Sequence, residues 1–221
     1  MQIEDILKDE NNSMLLFTSG DRKEMVVGVP HHAPLGVLKL PSEEHPASDE
    51  NTGFIGVALA GLLNCPAIIA CNYFMDVNKH KSSDYFKKIQ SLEPKILVEI
   101  HGHSRNFARF DIEISSGSLE RNFWSKELAD RLRVGFASAP LLQGYSISGD
   151  FKDIYFQATK SASITSPGWV SFHIELPRPL RESRQAYLLF CRLLADVLKG
   201  ILADFEGMKG SQDMQVRADT R

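Results

Sequence analysis

Short apolar runs of strand character alternate along the chain with longer stretches whose apolar positions recur at helical spacing. Residues 13–19 (SMLLFTS) and 24–31 (EMVVGVPH) read as a strand pair joined by the polar turn Gly20-Asp21-Arg22. Residues 53–63 (GFIGVALAGLL) form an apolar helix whose start is marked by Ser48, Asp49 and Asn51. Asn64-Cys65-Pro66 ends it, and AIIAC at residues 67–71 has the flanks of a buried strand. Residues 84–92 predict a short helix stopped by Glu93-Pro94, and KILVEIH at 95–101 is the strongest strand pattern in the chain. A strand at 110–115 (FDIEIS) and a helix over 118–134 follow. Residues 140–169, rich in Gly, Ser and Tyr, read as loops and edge strands, the usual place for a substrate cover. Residues 170–176 (VSFHIEL) alternate as a strand, and 180–205 carry a helical stripe through Phe190, Leu194, Val197 and Ile201. The pattern predicts one α/β domain over residues 1–206, three-layered αβα, with a mixed, mostly parallel twisted sheet and helices on both faces. Residues 207–221 are polar and expected to be a disordered tail.

Composition narrows the class. At 221 residues the chain suits one α/β domain of ordinary size. A net charge of -3 gives no electrostatic case for a nucleic-acid or anionic membrane partner. No apolar run reaches the roughly 20 residues that span a bilayer, and the acidic N-terminus lacks a signal-peptide core. Cys65, Cys71 and Cys191 sit in apolar contexts without metal or redox spacing, so they read as reduced core residues. The expectation is a cytoplasmic protein without disulfides; the oligomeric state stays open.

Chemistry is sought where strands end, because ligands of open α/β sheets bind beyond the carboxyl ends of the strands. The strand from 24 ends in Pro30-His31-His32, that from 95 in His101-Gly102-His103, and that from 170 in Glu175, followed by Arg178 and Arg181. Asp49-Glu50 opens a helix that can face the same edge. Two imidazoles and a carboxylate make a hydrolytic zinc shell with a position open for water. A further carboxylate must then take the proton of that water, and Glu175 is the candidate. Taken singly, Asp49 reads as a helix N-cap and the two arginines as solvated first-turn residues. His45 and His80 read as residues outside any site. His173, inside a strand, is read as alternating away from the neighbours of Glu175, in a buried supporting role.

The motifs resemble the N-formylglutamate amidohydrolase family, itself similar in fold to the zinc carboxypeptidases. The pieces appear in order: Val29-Pro30-His31, Asp49-Glu50-Asn51-Thr52-Gly53, Asp76-Val77-Asn78-Lys79, Glu99-Ile100-His101-Gly102 and Ile174-Glu175-Leu176. The resemblance spans residues 24–200 and implies that His31 and His101 hold zinc and that Glu175 is the general base. The remaining ligand is either Asp49 or Glu50, according to the alignment used, with preference for Glu50 for its longer reach. Lys79, Arg105, Arg178 and Arg181 are the cations available to hold substrate carboxylates and the tetrahedral oxyanion, and Asn78 either orients the substrate or caps a turn. Lys79 departs from the arginine usual in the family and lacks its bidentate fork. The implied reaction is zinc-dependent hydrolysis of the amide of an N-acyl amino acid such as N-formyl-L-glutamate. A zinc carboxypeptidase or poly-γ-glutamate hydrolase acting on a short peptide, and a non-catalytic metal-binding or interaction protein, are the alternatives.

Overall fold

The computed structural model describes the backbone of residues 2–104 and 106–219, with side chains described as far as residue 207. Among the described residues eight strands form one sheet: β1 (Met14–Thr18), β2 (Met25–Ala33), β3 (Asp49–Glu50), β4 (Ala67–Cys71), β5 (Ile96–His103), β6 (Ile112–Ser115), β7 (Ile147–Ser148) and β8 (Val170–Pro177). Their order is β1-β4-β2-β5-β8-β6-β7, with β3 beside the end of β2. The four central strands are parallel, whereas β1 and β6 run antiparallel to β4 and β8. The mixed, mostly parallel sheet expected from the sequence is therefore present.

Strand alternation builds two cores, one on each face of the sheet. Val27, Val98 and Phe172 pack on one face with Ile55, Leu59, Phe190 and Leu194, which come from α2 (Thr52–Leu63) and α7 (Arg184–Asp219). Helix α4 (Asn122–Ala137) joins this layer through Leu128 and Leu132. On the other face Val26, Ile68 and Leu97 pack against Tyr85, Phe86 and Ile89 of α3 (Asp84–Leu92), and Trp169 joins them. Three layers result. The three cysteines are free and buried, and burial pushes each thiol up to about 12, as expected of core residues.

The element boundaries differ from expectation in informative places. A short α1 (Ile3–Leu7) precedes β1, and the loop region 140–169 also holds α5 (Ala162–Thr165). The single helix expected over 180–205 is two elements: α6 (Arg178–Glu182) ends at Ser183, whose extended backbone separates it from α7. The polar stretch expected to be a disordered tail falls in the last turns of α7 and beyond, where side chains lie outside the described residues. Asp49 is not a helix N-cap. Asp49 and Glu50 pair with His32 and Ala33 as a strand, and Asn51, with left-handed backbone, turns the chain into α2. No helix among the described residues is long and apolar enough to cross a membrane.

Candidate metal centre

The face that carries the second core turns polar toward the carboxyl ends of the strands. Leu97 belongs to that core, and alternation continues its face as Glu99 and His101. On β8, Phe172 and Ile174 enter the first core, which leaves His173 and Glu175 on the polar face. On β2, Val27 and Val29 belong to the first core, but the register shifts between Val29 and His32. That irregularity spans Pro30, which has no ladder N–H to lose, and His31, and it brings His31 among the polar groups. His32 is held elsewhere: its Nε2 meets the Leu7 carbonyl at 3.0 Å and its Nδ1 accepts the Gly53 N–H at 3.0 Å.

One carboxylate oxygen organises the centre. Asp49 Oδ2 lies 3.3 Å from Nδ1 of His31 and 3.3 Å from Nδ1 of His101. The outer nitrogen of each ring meets another buried carboxylate. His31 Nε2 is 3.0 Å from Asp76 Oδ1, and His101 Nε2 is 3.4 Å from Glu99 Oε2. Glu99 is itself fixed by the Tyr85 hydroxyl, which donates to Oε1 at 2.8 Å. That contact requires Gly28, because a Cβ there would come 2.1 Å from the Tyr85 oxygen. Each imidazole is thus oriented from behind by a carboxylate, the arrangement that sets the tautomer and ring plane of metal-binding histidines.

The electrostatics follow from this crowding. Burial opposes the charge of His101, but hydrogen bonds to Asp49 and Glu99 raise its pKa to about 10. His31 is raised too, with burial opposing and Asp49 and Asp76 prevailing. Asp49 is held far below the usual carboxylate range by the two histidines despite its burial. Glu175 Oε1 lies 3.0 Å from His173 Nε2, and this bond holds its carboxyl below the ordinary range against the effect of burial. Glu175 Oε2 is buried and has no hydrogen-bond partner among the described residues. His173 alternates away from Ile174 and Leu176 and shares a face with Glu175, so it stands buried in a supporting role beside it.

A cleft of about 550 Å³ opens over these groups, lined by His31, His101 and Glu175 together with Lys79, Asn78 and Phe156. Its outer wall is residues 155–161, within the region expected to cover a substrate. Lys79 pairs with Asp76, and the buried Oδ1 of Asn78 has no partner among the described residues. Burial lowers the pKa of His45 to about 4; this lining residue, absent from the sequence-based site, stacks on His31 with ring centroids 3.9 Å apart.

The other expected groups are placed apart. Glu50 Oε1 accepts the Gly36 N–H at 2.8 Å and faces Arg178 at 3.4 Å. The preference for Glu50 assumed a helical first turn, whereas neighbouring residues of a strand point to opposite sides and Asp49 is the one turned to the histidines. Arg178 is half exposed and pairs with Glu182 at 2.7 Å, outside the cleft. Arg181 is not solvated. It is 3% exposed, and its guanidinium donates to backbone carbonyls of Glu50, Leu176 and His103. Arg105 lies outside the described residues. His80 pairs with Glu44 at the surface.

Among the described residues three sets of donors approach the spacing of a metal shell: His31 with Asp49 and His101, His31 with His45 and Asp76, and Glu99 with His101 and His173, each with atoms within 4.8 Å. Asp76, Glu99 and His173 escaped the sequence-based ligand set. Glu99 and His173 could have been found from their two-residue spacing to His101 and Glu175 on strands.

No protein-family model matches the chain, and no curated protein matches it in sequence. Solved structures do. A bacteriophage poly-γ-glutamate hydrolase superposes with a TM-score of 0.55 at 13% identity, covering 89% of this chain and 90% of its own. The N-formylglutamate amidohydrolase of Ralstonia eutropha JMP134 gives 0.52 at 12% identity, covering 83% and 94%. A gene product of Agrobacterium tumefaciens gives 0.53 at 12% identity, covering 90% and 100%. The chain has the fold of these three structures, which is the fold the motif resemblance implies.

Proposed function

We propose that this protein is a zinc-dependent amidohydrolase that cleaves the amide bond of an N-acyl amino acid. The observation that carries the reading is the placement of Asp49 Oδ2 between Nδ1 of His31 and Nδ1 of His101, with Asp76 and Glu99 behind the two rings. The residues suit zinc. Two nitrogens and one carboxylate oxygen converge, which is a zinc donor set, and the unpartnered Oε2 of Glu175 lines the same cleft. Bound there, zinc supplies a Lewis acid that acidifies water and polarises a carbonyl. Glu175 takes the proton of the attacking water on Oε2 and passes it to the leaving amine, while His173 holds Oε1. Asn78 and Lys79 border the cleft where the substrate's polar groups lie, and Asp76 pairs with both Lys79 and His31, linking that edge of the cleft to the imidazole. The cleft volume of about 550 Å³ also admits a short γ-linked peptide, which is the second reading.

The test joins metal content with turnover of N-formyl, N-acetyl and γ-glutamyl substrates, with and without zinc. Asp49→Ala should lose zinc, whereas Glu50→Ala should retain it. Retention in Asp49→Ala removes Asp49 from the ligand set. Stoichiometric zinc without turnover of any substrate selects a non-catalytic metal protein.

A further inference from the structure

Glu113 takes no part in the centre described above, yet it is completely buried on β6, directly across the β6–β8 ladder from Glu175. A buried carboxylate is stable only when its oxygens are well supplied with hydrogen bonds. Glu113 receives them from two separate loops. Oε1 accepts the N–H groups of Arg109 at 2.7 Å and Phe110 at 3.2 Å, from the segment entering β6. Oε2 accepts those of Tyr155 at 2.8 Å and Phe156 at 2.9 Å, the first residues of the cleft wall. Two residues along the same face, the Ser115 hydroxyl donates to the Gln157 carbonyl at 2.6 Å, so β6 fixes the wall at consecutive points. The side chains thus held meet across the loops. Phe107 stacks on Tyr155 with centroids 5.4 Å apart, and Phe156 packs on His103.

We infer that Glu113 is a positioning residue: one carboxylate ties both loops to each other and sets the aromatic wall of the cleft beside Glu175. The inference rests on the cleft being the substrate site, and its consequence is that Glu113 governs substrate affinity and not the chemical step. A glutamine at 113 keeps the shape, but its single oxygen serves only one donor pair at a time, so each pair is left unpaired in one of the two orientations of the amide.

The experiment uses the zinc-loaded full chain as wild type, Glu113→Gln, Phe156→Ala and the double variant. Amide hydrogen exchange in Glu113→Gln should rise roughly tenfold or more in both 109–110 and 155–156, while β5 and the zinc content stay unchanged. With N-formyl-L-glutamate and γ-L-glutamyl-L-glutamate as probes, KM should rise roughly tenfold and kcat should stay within about threefold. The effects of Glu113→Gln and Phe156→Ala should be non-additive, because both act through the same wall. Unchanged exchange in either segment, or a fall in kcat at constant KM, overturns the inference. Should Glu113→Gln fail to fold, Phe156→Ala still decides, since an unaltered KM there removes the wall from substrate binding. Wild-type protein that turns over neither probe counts against the functional reading, and exchange then decides Glu113 separately.

Discussion

Replacing Arg181 by alanine separates two roles for this residue, because a substrate-binding cation and a structural tie leave different traces. The guanidinium is buried, and its Nε and Nη1 donate to the carbonyls of Leu176 and Glu50; the third contact, to His103, is at the 3.5 Å limit. These carbonyls belong to β8, β3 and β5, the strands that carry Glu175, Asp49 and His101. Hydrogen bonds from a charged donor contribute about 1.5–3 kcal/mol each, so two good ones give about 3–6 kcal/mol. Against this, burial of the charge works to lower the arginine pKa, a cost only partly offset by Asp49, Glu50 and Glu175. The lower half of the range, about 3–4 kcal/mol, is therefore expected. For a chain of this size that corresponds to a fall of roughly 6–16 °C in Tm. Calorimetry on metal-free protein reads the loss directly, and zinc titration should show weaker binding as the three strand ends loosen. A Tm within about 2 °C of wild type, with KM raised only for acidic substrates, would refute the structural assignment and return Arg181 to the cleft.

Most of the architecture was legible because burial imposes period two on strands and a broad stripe on helices. KILVEIH and VSFHIEL announce β5 and β8 correctly, and their final polar residues belong to the candidate centre. What was not legible depends on contacts between distant residues. The choice between Asp49 and Glu50 turns on a two-residue strand held by His32 and Ala33, too short to have a periodicity of its own. Arg181 looks like a solvated first-turn residue until the carbonyls around it are known. Gly102 is part of the same hidden contact, since a Cβ there would come 2.5 Å from the Arg181 Cζ. The irregularity that brings His31 into the centre cannot be seen in EMVVGVPH beyond the presence of Pro30. Glu113 drew no reading beyond its place in the strand at 110–115, and the loops it ties together join it from both sides in sequence.

Metal-free protein should be less stable at high pH. The raised pKa of His101 contributes stability that is fully present below 6.5 and lost as pH climbs through about 10, so Tm should fall over that window and flatten in His101→Gln. Because His101 is protonated at pH 7 without metal, zinc binding must expel a proton, which calorimetry in buffers of different ionisation enthalpy will count; no release would show that His101 is not a ligand. Glu175→Gln tests the base. The Gln Oε1 can still accept from His173 at the position now 3.0 Å away, so the strand and the metal should be undisturbed. The second position becomes an amide nitrogen with no lone pair for the water proton, and kcat should fall by roughly 10²–10⁴-fold with little change in KM. Zinc loss in that variant would make Glu175 a ligand. Near-normal kcat with zinc retained would leave the proton transfer to another group, and the unpartnered Oε2 that motivates the assignment would have no part in the chemistry.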